Sequence, residues 1–140
     1  TILRPSNVYG PGQIERPGFG IVPTAFGRVR RNESLHVWGD GSVVRDYLYI
    51  DDLTSLMKLI LAQPMPSGAR IINACSGVSI SLNELFGAVE AVAGRVLRRS
   101  YETGRAVDAQ RVVMSPALAV REYGFSSTTS LHEGLERTWA

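Results

Sequence analysis

The amino-acid sequence predicts a small mixed α/β domain of short strands and about four helices. Apolar residues recur at helical spacing in several separate windows, as in Leu53, Leu56, Met57, Ile60 and Leu61. Between these windows stand short apolar runs bounded by Gly, Pro, Asn or Asp, the pattern of brief strands. Strands interleave with helices, and the helical windows gather toward the C-terminal part, the order of a mixed α/β unit. With 140 residues, 44% hydrophobic and 20% charged, residues 1–140 have the size of one domain with a core of its own. Strands so few and short do not predict an independent doubly wound sheet.

Residues 1–3 read as the end of a buried strand, followed by Pro5 to Gly12, too rich in Gly and Pro to be regular. From Gly20 to Arg31, Ile21, Val22, Ala25, Phe26 and Val29 predict a helix, with Pro23 in its first turn, where a missing N–H is tolerated. Leu35 to Trp38 predict a strand stopped by Gly39-Asp40-Gly41, and residues 43–50 continue with Val44, Tyr47 and Ile50 as apolar anchors. Asp51 or Asp52 is expected to cap the next helix. Arg70 to Cys75 read as a buried strand. Ser81-Leu82-Asn83-Glu84 has the capping-box pattern for a helix that ends at Gly94. Val96-Leu97 and Arg111 to Met114 predict further short strands, with a polar stretch over 100–110 between them. Ser115-Pro116 opens a short helix closed by Gly124, and Ser130-Leu131-His132-Glu133 opens a last one to Trp139.

Charge and cysteine content exclude several classes. No apolar run reaches the roughly 18 to 20 residues of a membrane span, and the first residues lack the basic-then-apolar pattern of a secretory leader. One cysteine, Cys75, supports neither an internal disulfide nor a thiolate-rich metal site, as suits a reducing cytoplasm. Fifteen basic residues face thirteen acidic ones, and the clusters Arg28 to Arg31 and Arg95 to Arg111 have carboxylates nearby. Net charge +2 is weak for a nucleic-acid binder despite a pI near 9.0. Fourteen of the basic residues are Arg, whose fork suits phosphate.

The candidate chemistry lies in three short segments. Asn7 follows a strand end, where α/β folds place ligand-contacting loops. Its amide suits a phosphate oxygen or a sugar hydroxyl, or equally an Asx turn that holds the loop. Arg45 and Asp46 stand between apolar positions: Arg45 suits a phosphate with Asp46 fixing its guanidinium, or the two form a structural ion pair. Arg105 with Asp108 repeats the theme in a polar loop, where solvated surface is the plain alternative. His36 and His132 have no Cys or paired carboxylates at metal-ligand spacing, so no metal site is inferred. The sequence contains neither Gly-x-Gly-x-x-Gly nor Tyr-x-x-x-Lys, and its one lysine is Lys58.

Taken in order, the blocks Leu3-Arg4-Pro5-Ser6-Asn7-Val8-Tyr9-Gly10-Pro11-Gly12-Gln13, Val22-Pro23 and Val37-Trp38-Gly39-Asp40-Gly41-Ser42-Val43-Val44-Arg45-Asp46-Tyr47-Leu48-Tyr49-Ile50-Asp51-Asp52-Leu53 are specific. The chain resembles the C-terminal half of the extended short-chain dehydrogenase/reductase family, the NAD-dependent nucleotide-sugar epimerases and dehydratases typified by UDP-glucose 4-epimerase. The likeness continues through Ile72 to Gly77, Ser79 to Leu85, Arg105 to Asp108, and Gly124-Phe125 before Ser130 to Leu135. It implies a substrate-binding part that clamps the diphosphate of a nucleotide sugar, a UDP-sugar above others. Asn7 would reach the sugar diphosphate, Arg45 the phosphate or nucleoside end, Arg105 the diphosphate again, and Asp108 the ribose or Arg105. His36, Val37 and Trp38 would line the nucleobase, and Pro5 and Ser6 would meet the nicotinamide of NAD.

The resemblance also implies what is missing. In the family the glycine-rich NAD motif and the catalytic Tyr and Lys lie upstream of the position matching Thr1, so the expectation is a half without its Rossmann NAD-binding partner, inactive alone. Gly20 stands where some 4-epimerases carry an asparagine that touches substrate. A stand-alone binding module, pairing with its own copies through the surface the missing half would cover, is the alternative expectation.

Overall fold

The structure is a computed structural model that describes residues 1–64, 68–104 and 107–140. Its elements run β1 (Ile2–Pro5), β2 (Asn7–Tyr9), α1 (Ile21–Arg31), β3 (Leu35–Trp38), β4 (Val44–Arg45), β5 (Tyr47–Tyr49), α2 (Ile50–Leu61), β6 (Ile71–Ala74), β7 (Ile80–Ser81), α3 (Leu82–Ala93), β8 (Arg99–Glu102), β9 (Arg111–Val112), α4 (Ala117–Tyr123) and α5 (Leu131–Trp139). Among the described residues there are five helices, against an expectation of about four, each on a segment marked by periodicity or caps. The strands pair as parallel β1–β6, parallel β2–β5, parallel β3–β8, and β4 between antiparallel β7 and parallel β9.

Two apolar clusters result. One gathers Val22, Phe26 and Val29 of α1, Leu85, Phe86 and Val89 of α3, and Leu135 of α5 around Tyr47 and Tyr49. Trp139 closes it, its ring 5.0 Å from that of Phe26 and with the Arg30 guanidinium 4.5 Å above it. The second packs Leu56 of α2 and Ala119 and Tyr123 of α4 against Leu48, Ile72 and Ala74.

Local signals work where they are self-contained. Ser81 accepts from the Glu84 N–H while the Glu84 carboxylate accepts from the Ser81 N–H, a complete capping box, and Gly94 ends α3 in the left-handed conformation that costs glycine little. Five expectations change. The segment after Pro5 is not irregular, because Asn7–Tyr9 finds a partner in β5. Residues 1–3 are not a buried strand: Leu3 turns to the second cluster, but Ile2 is 55% exposed, because no described element covers the outer face of β1. Ile50 starts α2 rather than ending a strand. Leu97 is buried without strand pairing, and the strand of that region is β8, where Leu35–Trp38 offers an edge. Helix α4 begins at Ala117 with Pro116 at its cap, one residue later than expected.

Asp52 departs most from its expected role. The N-cap of α2 is Tyr49, without a side-chain cap, and Asp52 is buried. Its carboxylate accepts from Ser127 Oγ at 2.9 Å and from the Thr128 and Thr129 N–H groups at 3.2 Å each. It thus fixes the loop that delivers α5. A buried carboxylate is tolerated when such donors replace its water.

Candidate functional site

A cavity of about 610 Å³ opens where the ends of β2 and β3, the start of α1 and strand β4 converge. It brings together six of the residues singled out from the sequence: Asn7, His36, Val37, Trp38, Arg45 and Asp108. Pro5 and Ser6 are not among its lining residues. Pro5 ends β1 and Ser6 follows it, the Ser6 N–H donating to the Ala74 carbonyl at 2.9 Å. Arg105 lies outside the described residues.

Arg45 enters the cavity because β4 is held on both sides, by Ile80 of β7 and Val112 of β9. Its Nη1 donates to the carbonyls of Val44 at 2.9 Å and Ala109 at 2.8 Å. These bonds orient the guanidinium, and among the described residues no hydrogen bond occupies Nε or Nη2, an arrangement that suits an anionic oxygen. Asp46 does not fix this guanidinium. It is 1% exposed and points the other way, accepting from Ser76 N–H and Oγ at 3.0 Å each and from the Gly77 N–H at 2.7 Å. The alternation of an extended chain separates the two neighbours, so neither an Arg45–Asp46 ion pair nor a carboxylate support for Arg45 forms.

Asn7 makes no local Asx turn. Its Nδ2 donates to the Asp46 carbonyl at 2.9 Å, which orients the amide beside the cavity and ties β2 to the Arg45 strand. His36 and Trp38 lie on the exposed face of β3. His36 Nδ1 is 3.0 Å from Ser100 Oγ and 3.3 Å from Glu102 Oε1, both on β8. One ring nitrogen serves both contacts, whereas a nucleophile relay needs one on each, so this trio does not form a serine–histidine–acid system.

The sequence reading missed Tyr47, Phe19 and Gln110 on the cavity wall. Tyr47 was an apolar anchor, and the signal that it also serves the cavity was its position two residues from Arg45, on the same face. Its hydroxyl is buried without a partner among the described residues, and burial pushes its pKa up to about 12, with Arg45 opposing the shift. Burial, followed by the nearby Asp46 carboxylate, pushes the Cys75 thiol up to about 11, a core position without nucleophilic character.

The model of the NAD dependent epimerase/dehydratase family matches residues 1–75. The chain belongs to that family. It is 30% identical over 139 residues to a dTDP-4-dehydro-6-deoxy-D-allose reductase of a Streptomyces species, covering 98% of this chain and 41% of that protein. It is 27% identical to the UDP-glucose 4-epimerase of Mycolicibacterium smegmatis, over 97% of this chain and 43% of that protein. The structure superposes on the UDP-glucose 4-epimerase of Thermotoga maritima solved with UDP-glucose at a TM-score of 0.88 with 31% identity, covering 98% of this chain and 43% of that one. UDP-glucuronic acid 4-epimerase of Bacillus cereus, solved with UDP-glucuronic acid and NAD, gives 0.88 at 25% identity, over 99% and 43%. The chain thus spans about four tenths of the length of these relatives and is a mixed α/β portion of the epimerase fold. No described helix is long and apolar enough to cross a membrane.

Proposed function

We propose that this chain is the substrate-binding part of an NAD-dependent nucleotide-sugar epimerase or dehydratase, and that its cavity takes the nucleoside diphosphate of a UDP-sugar. The observation that carries the reading is the Arg45 guanidinium, oriented by two backbone carbonyls at the edge of a 610 Å³ cavity that also holds Asn7 and the β3 residues His36, Val37 and Trp38. Arg45 neutralises a phosphate, Asn7 offers a neutral amide to the diphosphate or the sugar, and the strand end with Trp38 accommodates the base. Asp108 on the same wall faces the ribose, and Arg105, by the family resemblance, is the second diphosphate cation. UDP-sugar relatives with TM-scores of 0.88 support the substrate class.

In this reading Pro5 and Ser6 meet the nicotinamide. The Ser6 hydroxyl, buried just past the strand end without a partner among the described residues, fits a site made for a polar neighbour. NAD supplies the hydride acceptor when bound. This chain's residues would orient the sugar nucleotide, and the sequence carries neither the glycine-rich cradle nor the Tyr-x-x-x-Lys pair, so the chain is not expected to hold NAD or turn over substrate by itself. Titration calorimetry with UDP, dTDP and GDP, each repeated on Arg45→Ala and Arg105→Ala, tests the reading. It predicts binding that is lost in both variants, and failure of all three ligands to bind the parent chain would sink it.

A second reading is a stand-alone module that pairs with its own copies. The outer face of β1 and β6 favours it, with Ile2 and Ile71 exposed at 55% and 44%. A parallel pair is ordinarily covered on both faces. Sedimentation that finds a monomer at high concentration would remove it.

A further inference from the structure

Phe19 is 78% exposed, more than either tryptophan or any tyrosine, yet it lines the cavity that holds Arg45 and Trp38. An isolated exposed apolar side chain is ordinary. One held stiffly at the rim of a ligand-sized cavity is not. Phe19 closes the turn Arg16-Pro17-Gly18-Phe19, in which its N–H donates to the Arg16 carbonyl at 3.0 Å. Pro17 presets the first corner, and Gly18 at φ +74° supplies the left-handed second corner that a Cβ would disfavour. On the other side the chain is anchored to α1, because the Gly20 carbonyl accepts from Thr24 N–H at 3.2 Å and Thr24 Oγ1 at 2.8 Å. The backbone on both sides of the ring is therefore fixed, and the ring contacts among the described residues do not involve it.

We propose that Phe19 is a base-contacting residue. On nucleotide binding, the nucleobase stacks against its ring, so that aromatic side chains from two separate segments, the turn before α1 and the end of β3, hold the base. The inference rests on the nucleoside-diphosphate reading of the cavity. Both aromatic residues line the same cavity, and stacking on aromatic side chains holds any base by its π-face. Arg45 and Asn7 then hold the charged and polar remainder. The division of labour places affinity for the diphosphate in Arg45 and affinity for the base in Phe19. Because the Phe19 side chain is solvated and outside both apolar clusters, replacing it leaves the fold intact.

The test is titration calorimetry of the 140-residue chain with UDP, dTDP, GDP and inorganic pyrophosphate, on the parent, Phe19→Ala, Phe19→Trp and Arg45→Ala. Phe19→Ala is expected to weaken the nucleoside diphosphates about 5- to 20-fold, at the scale of one stacked base. It should leave pyrophosphate and the melting temperature unchanged, and Phe19→Trp should retain nucleotide affinity. Arg45→Ala should weaken all four ligands. Nucleotide affinities unchanged in Phe19→Ala, or an equal loss for nucleotides and pyrophosphate, would overturn the role of Phe19 while leaving the diphosphate site standing. Full nucleotide affinity in Arg45→Ala with a loss in Phe19→Ala would overturn the diphosphate anchor instead. A parent chain that binds none of the four overturns both.

Discussion

Residues 45–49 form one extended run whose two faces belong to different parts of the molecule. Arg45 and Tyr47 face the cavity, and Tyr47 and Tyr49 belong to the cluster of α1, α3 and α5. Asp46 and Leu48 face the opposite way: Leu48 joins the cluster of α2 and α4, and Asp46 holds the loop after β6. The cavity face keeps polar groups open toward a ligand, whereas the opposite face saturates its one charge with N–H and O–H donors from the protein. The same residue types, Arg and Asp side by side, therefore carry opposite burdens. On the function proposed above, one serves binding; the other serves the fold.

This contrast is open to direct tests. Asp46→Ala should have the largest effect on stability. It leaves the part-buried Ser76 and Gly77 N–H groups and the Ser76 hydroxyl without their acceptor, at a cost of roughly 3 kcal/mol in urea unfolding. If it instead proves as mild as Asp51→Ala on the surface, the division of the two faces is wrong. Arg45→Ala should show the reverse, with nucleotide affinity lost by tenfold or more and stability changed by about 1 kcal/mol at most, since its two bonds to backbone carbonyls are open to solvent in part or whole. A large loss of stability there would return Arg45 to the structural role.

Outside the run, Ser81→Ala removes the cap of α3 and should cost about 1 kcal/mol in the same unfolding measurement. Alkaline titration examines the buried neutral groups on either side of the run. Cys75 is raised from 9.0 to about 11 and Tyr47 from 10.0 to about 12, so the folded state favours their protonated forms. Their contribution is whole below pH 9. It declines as pH rises through 11 and 12, and a melting temperature that rose over that interval would contradict it. The smallest effect on stability belongs to Ile71→Ser, within about 0.5 kcal/mol because the side chain is half exposed, while any self-association through the outer face of β1 and β6 should diminish.

Much of the fold was legible from residues alone. The helices announced themselves because their signals are local: Ser81 and Glu84 are three residues apart, Gly94 and Gly124 end their helices, and the apolar faces repeat within a single element. The short strands were less legible. A two-residue strand such as Val44–Arg45 or Ile80–Ser81 has no period to read and exists because a neighbour offers an edge. In the candidate site, Asn7, Arg45 and Trp38 were recognised through their ordered motifs. Tyr47 was read as a plain apolar anchor and Phe19 was not singled out at all, since an aromatic residue carries the same letter in either setting.

The sequence by itself determined that the chain makes capped helices and short strands and that its motifs are those of the epimerase/dehydratase family. The tertiary structure set Arg45 and Asp46 on opposite faces of an extended run and decided what each face meets. Asp46 finds Ser76 at a separation of 30 residues, and Asp52 finds Ser127 at 75. A carboxylate can cap its own helix, pair with a neighbouring arginine or accept from a distant loop at similar local cost. The choice among them falls to whichever donors the packed core brings within hydrogen-bonding distance and shields from water.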